Sequence, residues 1–242
     1  YVFKEIMKKR IYKVLVSSGF IESKKHAEFL IKNEQIKVNN KLVNSLNYFV
    51  DTKKDVITLN NKILKEKKEK IYLLLNKPKG IETTKENILK FLKIKEELKN
   101  TVFPIGRLDK ESEGLLILTN DGSLTEILMH PTKHVEKTYL ITAEKEITDE
   151  QLKLLENGIE IQMEENNQLY KYQTKPCKIT KIKQKVYQII ITEGKKRQVR
   201  RMLEAVNNKV ISLTRIKIGK IELNLKPGEY KTVTKEFILS SI

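Results

Sequence analysis

Between Lys8 and Ser18 the apolar residues Ile11, Val14 and Leu15 keep helical spacing until Gly19, and a second helix is expected from a Ser23 cap through Ala27, Leu30 and Ile31. The period then shortens. Ile36–Val38, an Asn39-Asn40 turn, Lys41–Val43 and Asp55–Leu59 read as short strands, so residues 1–60 predict a compact helix-helix-strand module. The stretch from Asn60 to Lys70, NNKILKEKKEK, is charged and has no clear apolar face; residues 61–70 are the expected linker.

Residues 71–242 are dominated by strand patterns, at 71–76, 114–119, 138–142, 159–163, 176–182, 186–192, 209–213 and 216–223. Helices are expected at Glu86–Lys93, Ser123–Met129, Thr148–Glu156 with Gly158 beyond its end, and Lys196–Val206. This mixture, with hairpin-like joints such as Lys183-Gln184, predicts the α+β class: a small N-terminal module followed by a largely antiparallel mixed α/β body.

Charge changes the picture next. The 242 residues include 48 Lys plus Arg against 31 Asp plus Glu, a net +17 that favours a polyanionic partner. Residues 1–70 hold 17 basic and 8 acidic residues, so they carry +9 of that excess and are expected to hold the partner on which the larger body acts. A single cysteine, Cys177, rules out an intramolecular disulfide, and no apolar run approaches the ~18 residues of a membrane span; cytoplasm and no membrane are the expectation. Metal chemistry is not expected. His26, His130 and His134 are the only histidines, and Pro131 interrupts any helix between the last two.

Only six of the 48 basic residues are arginine, and they are not evenly spread: Arg107 stands in Gly106-Arg-Leu-Asp-Lys-Glu-Ser-Glu-Gly114, and Arg197, Arg200 and Arg201 stand in the segment Glu193–Val206. A chain so rich in Lys keeps Arg where a planar fork is needed to pair with a carboxylate or phosphate. The first segment is bracketed by glycines and followed by the apolar run Leu115–Leu118, which would anchor its loop. Asp109 there reads equally as a turn cap or as a positioned reacting carboxylate. In the second segment Val199, Met202, Leu203 and Val206 follow core spacing, while Arg197, Arg200, Arg201 and Glu204 occupy another face, expected to present guanidinium groups.

These segments resemble the RsuA-like family of bacterial ribosomal RNA pseudouridine synthases. Its motifs run in order along nearly the whole chain: YLLLNKPKG at 72–80, GRLDKESEGLLILTNDG at 106–122, EKTY at 136–139, EGKKRQVRRM at 193–202 and LTRIKIG at 213–219. Residues 8–59 are similar to that family's RNA-binding module, of a kind also found in a small-subunit ribosomal protein. Departures are Ser23-Lys24 at the second helix, where Ser-Arg is usual, and Asn33-Glu34 before the Ile36 strand.

The resemblance implies isomerisation of a uridine in ribosomal RNA to pseudouridine, with no cofactor. It makes Asp109 the nucleophile, Arg200 its guanidinium partner, Tyr139 the ring against the uracil and Leu213 an apolar wall. The base must leave its stack, and Arg107 would support or replace it. Phosphate contacts fall to Lys195, Lys196, Arg197 and Arg201, with a substrate-side role for Lys77. The partner is ribosomal RNA or a pre-ribosomal particle, and the expected oligomeric state is a monomer. TKPCKI at 174–179 and the PGEY segment from Pro227 lean towards the small subunit. Three alternatives stand beside this reading: a large-subunit enzyme, a non-catalytic RNA-binding assembly protein, and a glycosidase using Asp109, Glu111 and Glu113.

Overall fold

The computed structural model describes residues 8–17, 21, 23–52, 54–64, 70–165 and 168–242. The chain divides into two compact units: residues 1–71 with 93–103 and 119–122, and residues 72–92, 104–118 and 123–242.

In the first unit β1 (Lys8–Arg10) leads into α1 (Ile11–Ser17) and α2 (Lys24–Lys32), followed by β2 (Ile36–Val38), β3 (Lys41–Leu42), β4 (Phe49–Asp51), β5 (Ile57–Leu59) and β6 (Lys62–Ile63). Ser23 caps α2 by accepting a hydrogen bond from the His26 amide, and Ala27, Leu30 and Ile31 form its buried stripe. The strands β3-β2-β5-β6 form one small sheet. Its hairpins turn at Asn39-Asn40 and Asn60-Asn61, all four at positive φ, which asparagine tolerates better than other non-glycine residues. Two expectations change here. Lys8–Arg10 is extended and pairs antiparallel with β4, because it has no apolar period of its own and finds a strand partner instead. The expected linker begins with the β5–β6 hairpin, while 65–69, like the helix-ending Gly19, lie outside the described residues.

Along the rest of the chain the elements are β7 (Tyr72–Lys77), α3 (Lys85–Leu89), α4 (Glu96–Lys99), β8 (Phe103–Ile105), β9 (Glu113–Thr119), α5 (Gly122–Met129), β10 (Lys137–Ala143), α6 (Asp149–Glu156), β11 (Glu160–Glu165), β12 (Gln168–Gln173), β13 (Lys178–Lys183), β14 (Val186–Ile191), α7 (Gln198–Ala205), β15 (Val210–Ile218), β16 (Ile221–Glu222), β17 (Tyr230–Thr232) and α8 (Lys235–Ser240). A mixed sheet runs β13-β14-β10-β15-β9-β7-β17, with β16 on β15 and β8 on β9. β9 and β15 pair in parallel, and β10 lies antiparallel to both β14 and β15. The α+β, largely antiparallel architecture is therefore the observed one. All six residues of β7 are buried, as are residues 114–119 of β9, which explains why both read as continuous apolar runs rather than alternating ones.

The segments expected as two strands, 209–213 and 216–223, are one continuous β15 that breaks only at Gly219-Lys220 and returns as β16. Among the described residues no helix is long and apolar enough to cross a membrane.

Gly114 fixes the parallel contact. Its Cα is in register with that of Arg215, its φ is +114°, and a Cβ there would collide with the Arg215 backbone. Gly114→Ala is therefore expected to destabilise the fold by roughly 2–4 kcal/mol, read as a lowered urea unfolding midpoint.

Candidate active site

Asp109 sits half-buried on the 106–112 loop, and the backbone of that loop is held almost residue by residue. The Thr83 hydroxyl donates to the Leu108 carbonyl at 2.6 Å and accepts from the Leu108 amide at 3.1 Å. The Gly80 amide donates to the Lys110 carbonyl at 2.8 Å, and the Ser112 amide closes a turn on the Asp109 carbonyl at 3.0 Å. Gly106, at φ +72°, starts the loop in a conformation that side chains disfavour. Beyond Ser112 the chain enters the buried strand β9, so both ends of the loop are tied to sheet.

Arg200 supplies the remaining anchor. Its Nη1 donates to the Val210 carbonyl at 3.0 Å, and its Nη2 donates to the Glu111 carbonyl at 3.1 Å and to Ser112 Oγ at 3.4 Å. Direct pairing with Asp109 was expected and is not what the structure contains. Among the described residues the Asp109 carboxylate makes no ion pair within 4 Å, and the Arg200 fork grips the backbone just after it. The Arg200 Nε is buried without a hydrogen-bond partner. Burial lowers the Arg200 pKa from its ordinary value and Arg197 adds to this, while the charges of Asp109, Glu111 and Glu204 oppose it.

Arg200 is also not displayed to solvent, as its helical face suggested, but is 7% exposed. The helix α7 starts at Gln198 rather than at 196, with Arg197 preceding it at φ +57°. Arg201 is half-buried and donates to Met163 Sδ at 2.8 Å.

A cleft of 610 Å³ opens over the loop, lined by Asp109, Tyr139, Leu213, Arg107, Lys195, Lys196 and Arg197 among others. Seven cationic side chains line it against two carboxylates, Asp109 and Glu82. Tyr139 and Leu213 come from the neighbouring strands β10 and β15 and are 7% and 6% exposed. The structure therefore brings Asp109, Tyr139, Leu213, Arg107 and the 195–197 cations to one cavity. Arg200 stands behind it, holding the loop, and neither Arg201 nor Lys77 lines it. Glu111 and Glu113 do not line it either; Glu113 accepts from the Thr214 hydroxyl at 2.9 Å.

The expected substrate-side role for Lys77 does not fit its position. The side chain is fully buried, and its ammonium donates to the carbonyls of Pro78 at 2.9 Å and Ile81 at 2.7 Å, closing the turn that carries Gly80. Burial brings its pKa down to about 8, partly opposed by the charges of Asp109, Glu113 and Glu111.

The basic rim has its own support. Glu193 accepts from the Tyr172 hydroxyl at 2.6 Å, from the Lys175 amide at 3.0 Å and from the Gln198 side-chain amide, while Gln198 Oε1 accepts from the Lys195 amide at 3.0 Å. The Lys195 ammonium lies 4.6 Å from the centre of the Tyr172 ring. The hydrogen bond to Glu193, with burial, pushes the Tyr172 hydroxyl up to about 12. Cys177 donates its thiol to the Leu155 carbonyl, and burial pushes it up to about 12, so it behaves as a packing residue. His130 caps a short 3-10 turn through Thr132. Among the described residues no three His, Cys, Asp or Glu side chains cluster as a metal site.

Sequence reasoning missed three site residues: Thr83, which clamps Leu108, and Lys137 and Arg215, which line the cleft on the strands of Tyr139 and Leu213. Arg215 carried a signal, being the lone arginine in a Lys-rich strand segment. Lys137 carried one too, lying two residues before Tyr139 and so on the same strand face.

A mixed sheet with a carboxylate-bearing loop in a basic cleft, in a chain that also carries a small helix-strand module, fits an enzyme acting on a nucleic acid. Residues 71–205 match the family model for RNA pseudouridylate synthase and residues 9–57 match the S4 domain. The chain belongs to the RNA pseudouridylate synthase family, and within it to the RsuA-like group that carries an S4 domain. It is 36% identical to the ribosomal large subunit pseudouridine synthase B of Bacillus subtilis (strain 168), over 93% of this chain and 92% of that protein. It is also 36% identical to the ribosomal small subunit pseudouridine synthase A of Yersinia pestis, over 70% of this chain and 72% of that protein. A solved pseudouridylate synthase superposes with a TM-score of 0.69 at 28% identity, covering 97% of this chain and 99% of the other.

Two outcomes follow from the anchors. Arg200→Lys cannot span the Val210 and Glu111 carbonyls with one fork, so it should cost roughly 1–3 kcal/mol in chemical unfolding and lower turnover by about 10–100-fold with RNA affinity retained. Lys77 binds its proton more weakly in the fold, at about 8, than its ordinary 10.5, so the unfolded chain holds more protons between those values. Stability should rise as pH climbs from about 8 towards 10.5, by an increment on the order of 1–3 kcal/mol that Lys77→Met removes.

Proposed function

We propose that this enzyme isomerises a specific uridine of ribosomal RNA to pseudouridine, with Asp109 as the nucleophile. The reaction detaches uracil from its ribose, turns it and rejoins it through carbon 5, with no change in composition. Asp109 would attack the sugar or the base; Tyr139 would lie against the uracil with its hydroxyl available to move a proton, and Leu213 would wall the ring. The observation that carries this reading is the convergence of Asp109, Tyr139 and Leu213 on one basic cleft, with the Asp109 carboxylate free of any ion pair among the described residues.

Arg107, exposed at the cleft and two residues before Asp109, would fill the place of the extruded base. Lys195, Lys196 and Arg197 would meet phosphates, and Arg201 would add charge from behind. Full burial favours a structural role for Lys77 over an RNA contact.

Residues 1–60 would hold RNA, 61–70 would link, and 71–242 would catalyse, in keeping with the basic excess of the first segment. Ribosomal RNA or a pre-ribosomal particle as substrate implies a cytoplasmic enzyme, and a cleft built within one chain suits a monomer. The segments at 174–179 and 227–230 favour the small subunit. A large-subunit target is the second reading, supported by the match to the large-subunit relative over 93% of this chain against 70% for the small-subunit one.

Mapping pseudouridines in both ribosomal RNAs from cells lacking the protein should reveal one missing site and assign the subunit. Purified Asp109→Asn should restore none of it in vitro while binding RNA within about threefold of wild type. Conversion by that variant removes Asp109 from the role; a wild-type protein that binds ribosomal RNA and converts nothing supports the assembly-protein reading instead.

A further inference from the structure

Arg215 and Lys137 have no part in the reaction as described above, yet both line the cleft. β10 and β15 are antiparallel neighbours; Tyr139 and Arg215 are register partners, as are Lys137 and Ile218. Alternation along each strand places Lys137 beside Tyr139 on one strand and Arg215 beside Leu213 on the other, all four lining the cleft. The pair of cations therefore adjoins the two residues assigned to the base.

Arg215 is 4% exposed. Its Nε donates to the Leu115 carbonyl at 2.7 Å, which fixes the plane of the guanidinium, while its Nη2 is buried with no hydrogen-bond partner. Lys137 is half-buried and its ammonium donates to the Val135 carbonyl at 2.9 Å, using one of three donors. Burial, and then the charge of Arg215, hold the Lys137 pKa below its ordinary value. Neither cation has an ion pair within 4 Å among the described residues, and the two carboxylates that line the cleft, Asp109 and Glu82, contact neither. Two like charges held close together on adjacent strands, one with a sealed donor left unused, are an unfavourable arrangement unless an anion joins them.

We infer that Arg215 and Lys137 form a phosphate subsite, which holds a backbone phosphate of the nucleotide turned into the cleft beside Tyr139. The inference rests on the functional reading above. A phosphodiester brings a formal negative charge and two non-bridging oxygens, which match a guanidinium fork and an adjacent ammonium; a uracil carbonyl brings no charge to offset two cations. The exposed Lys195, Lys196 and Arg197 sit on a loop and can follow the RNA, whereas Arg215 is fixed in the sheet. It would set the position of one phosphate, and with it the sugar that Asp109 must face.

Once the target uridine is mapped, a short synthetic RNA spanning it is made with one neutral methylphosphonate, either on the 5′ or on the 3′ side of that uridine. Wild type should lose about tenfold or more in kcat/KM on one of the two and little on the other, which identifies the phosphate held. Arg215→Gln should show a comparable loss on unmodified RNA and almost no further loss on the sensitive neutral RNA, because both changes remove the same contact. Lys137→Gln, which leaves the Leu115 anchor intact, should behave in the same direction and covers the case that Arg215→Gln fails to fold, as judged by its thermal unfolding. Wild-type indifference to both neutral linkages, or losses from variant and linkage that multiply, would overturn the subsite. A wild type that isomerises no uridine would instead overturn the functional reading.

Discussion

The site depends on one constraint: the backbone around Asp109 is immobilised by bonds from two separate parts of the chain, the 80–83 segment and Arg200. Thr83 holds Leu108, Gly80 holds Lys110, and Arg200 holds Glu111 and Ser112 while it also grips Val210 at the start of β15. Each bond is modest alone, worth ~1 kcal/mol net, but together they leave the loop little freedom. A nucleophile gains rate from such a frame because its approach is set before substrate arrives. Among the described residues the carboxylate itself has no ion pair, so the frame restrains its position without occupying its oxygens.

The same division recurs around the cleft. Fixed groups come from sheet: Tyr139 from β10, and Leu213 with Arg215 from β15. Adaptable cations come from the 195–197 loop, whose backbone is steadied by Gln198 and Glu193. Exposed lysines and arginines give affinity that tolerates sequence and fades with salt, while the sheet-borne groups demand a single geometry. Gly114 links the two, since the close approach of β9 to β15 that it permits joins the loop's exit strand to the strand of Leu213 and Arg215.

Much of this was legible in the chain's periodicity. β7 and β9 declared themselves as apolar runs, α6 through the span from Thr148 to Glu156 with Gly158 beyond its end, and the core stripe of α7 through Val199, Met202 and Leu203. What escaped was what tertiary contacts create. β1, β4, β8 and β17 are three residues each, too short for a period, and β12 is six residues but largely exposed, so nothing alternates into a core. Arg200 lies beside the apolar stripe on a helical wheel and reads as surface; its burial follows from carbonyls at Glu111 and Val210 that only the folded chain brings together. Lys77 was expected on the substrate side, although its place directly after the apolar run Leu73–Leu75 and Asn76 was a hint of the carbonyl-lined socket it fills. The scarcity of arginine pointed to the two segments that supply Arg107 and Arg197 to the cleft, and applied evenly it would have reached Arg215 as well.

Amide hydrogen exchange coupled to turnover tests most directly whether Asp109, the proposed nucleophile, depends on its pinned loop. Thr83→Val removes the clamp on Leu108 with little change in volume. Faster exchange at the Leu108 amide together with slower isomerisation at unchanged RNA affinity is expected. A Leu108 amide that exchanges freely in an enzyme of undiminished turnover would contradict that dependence.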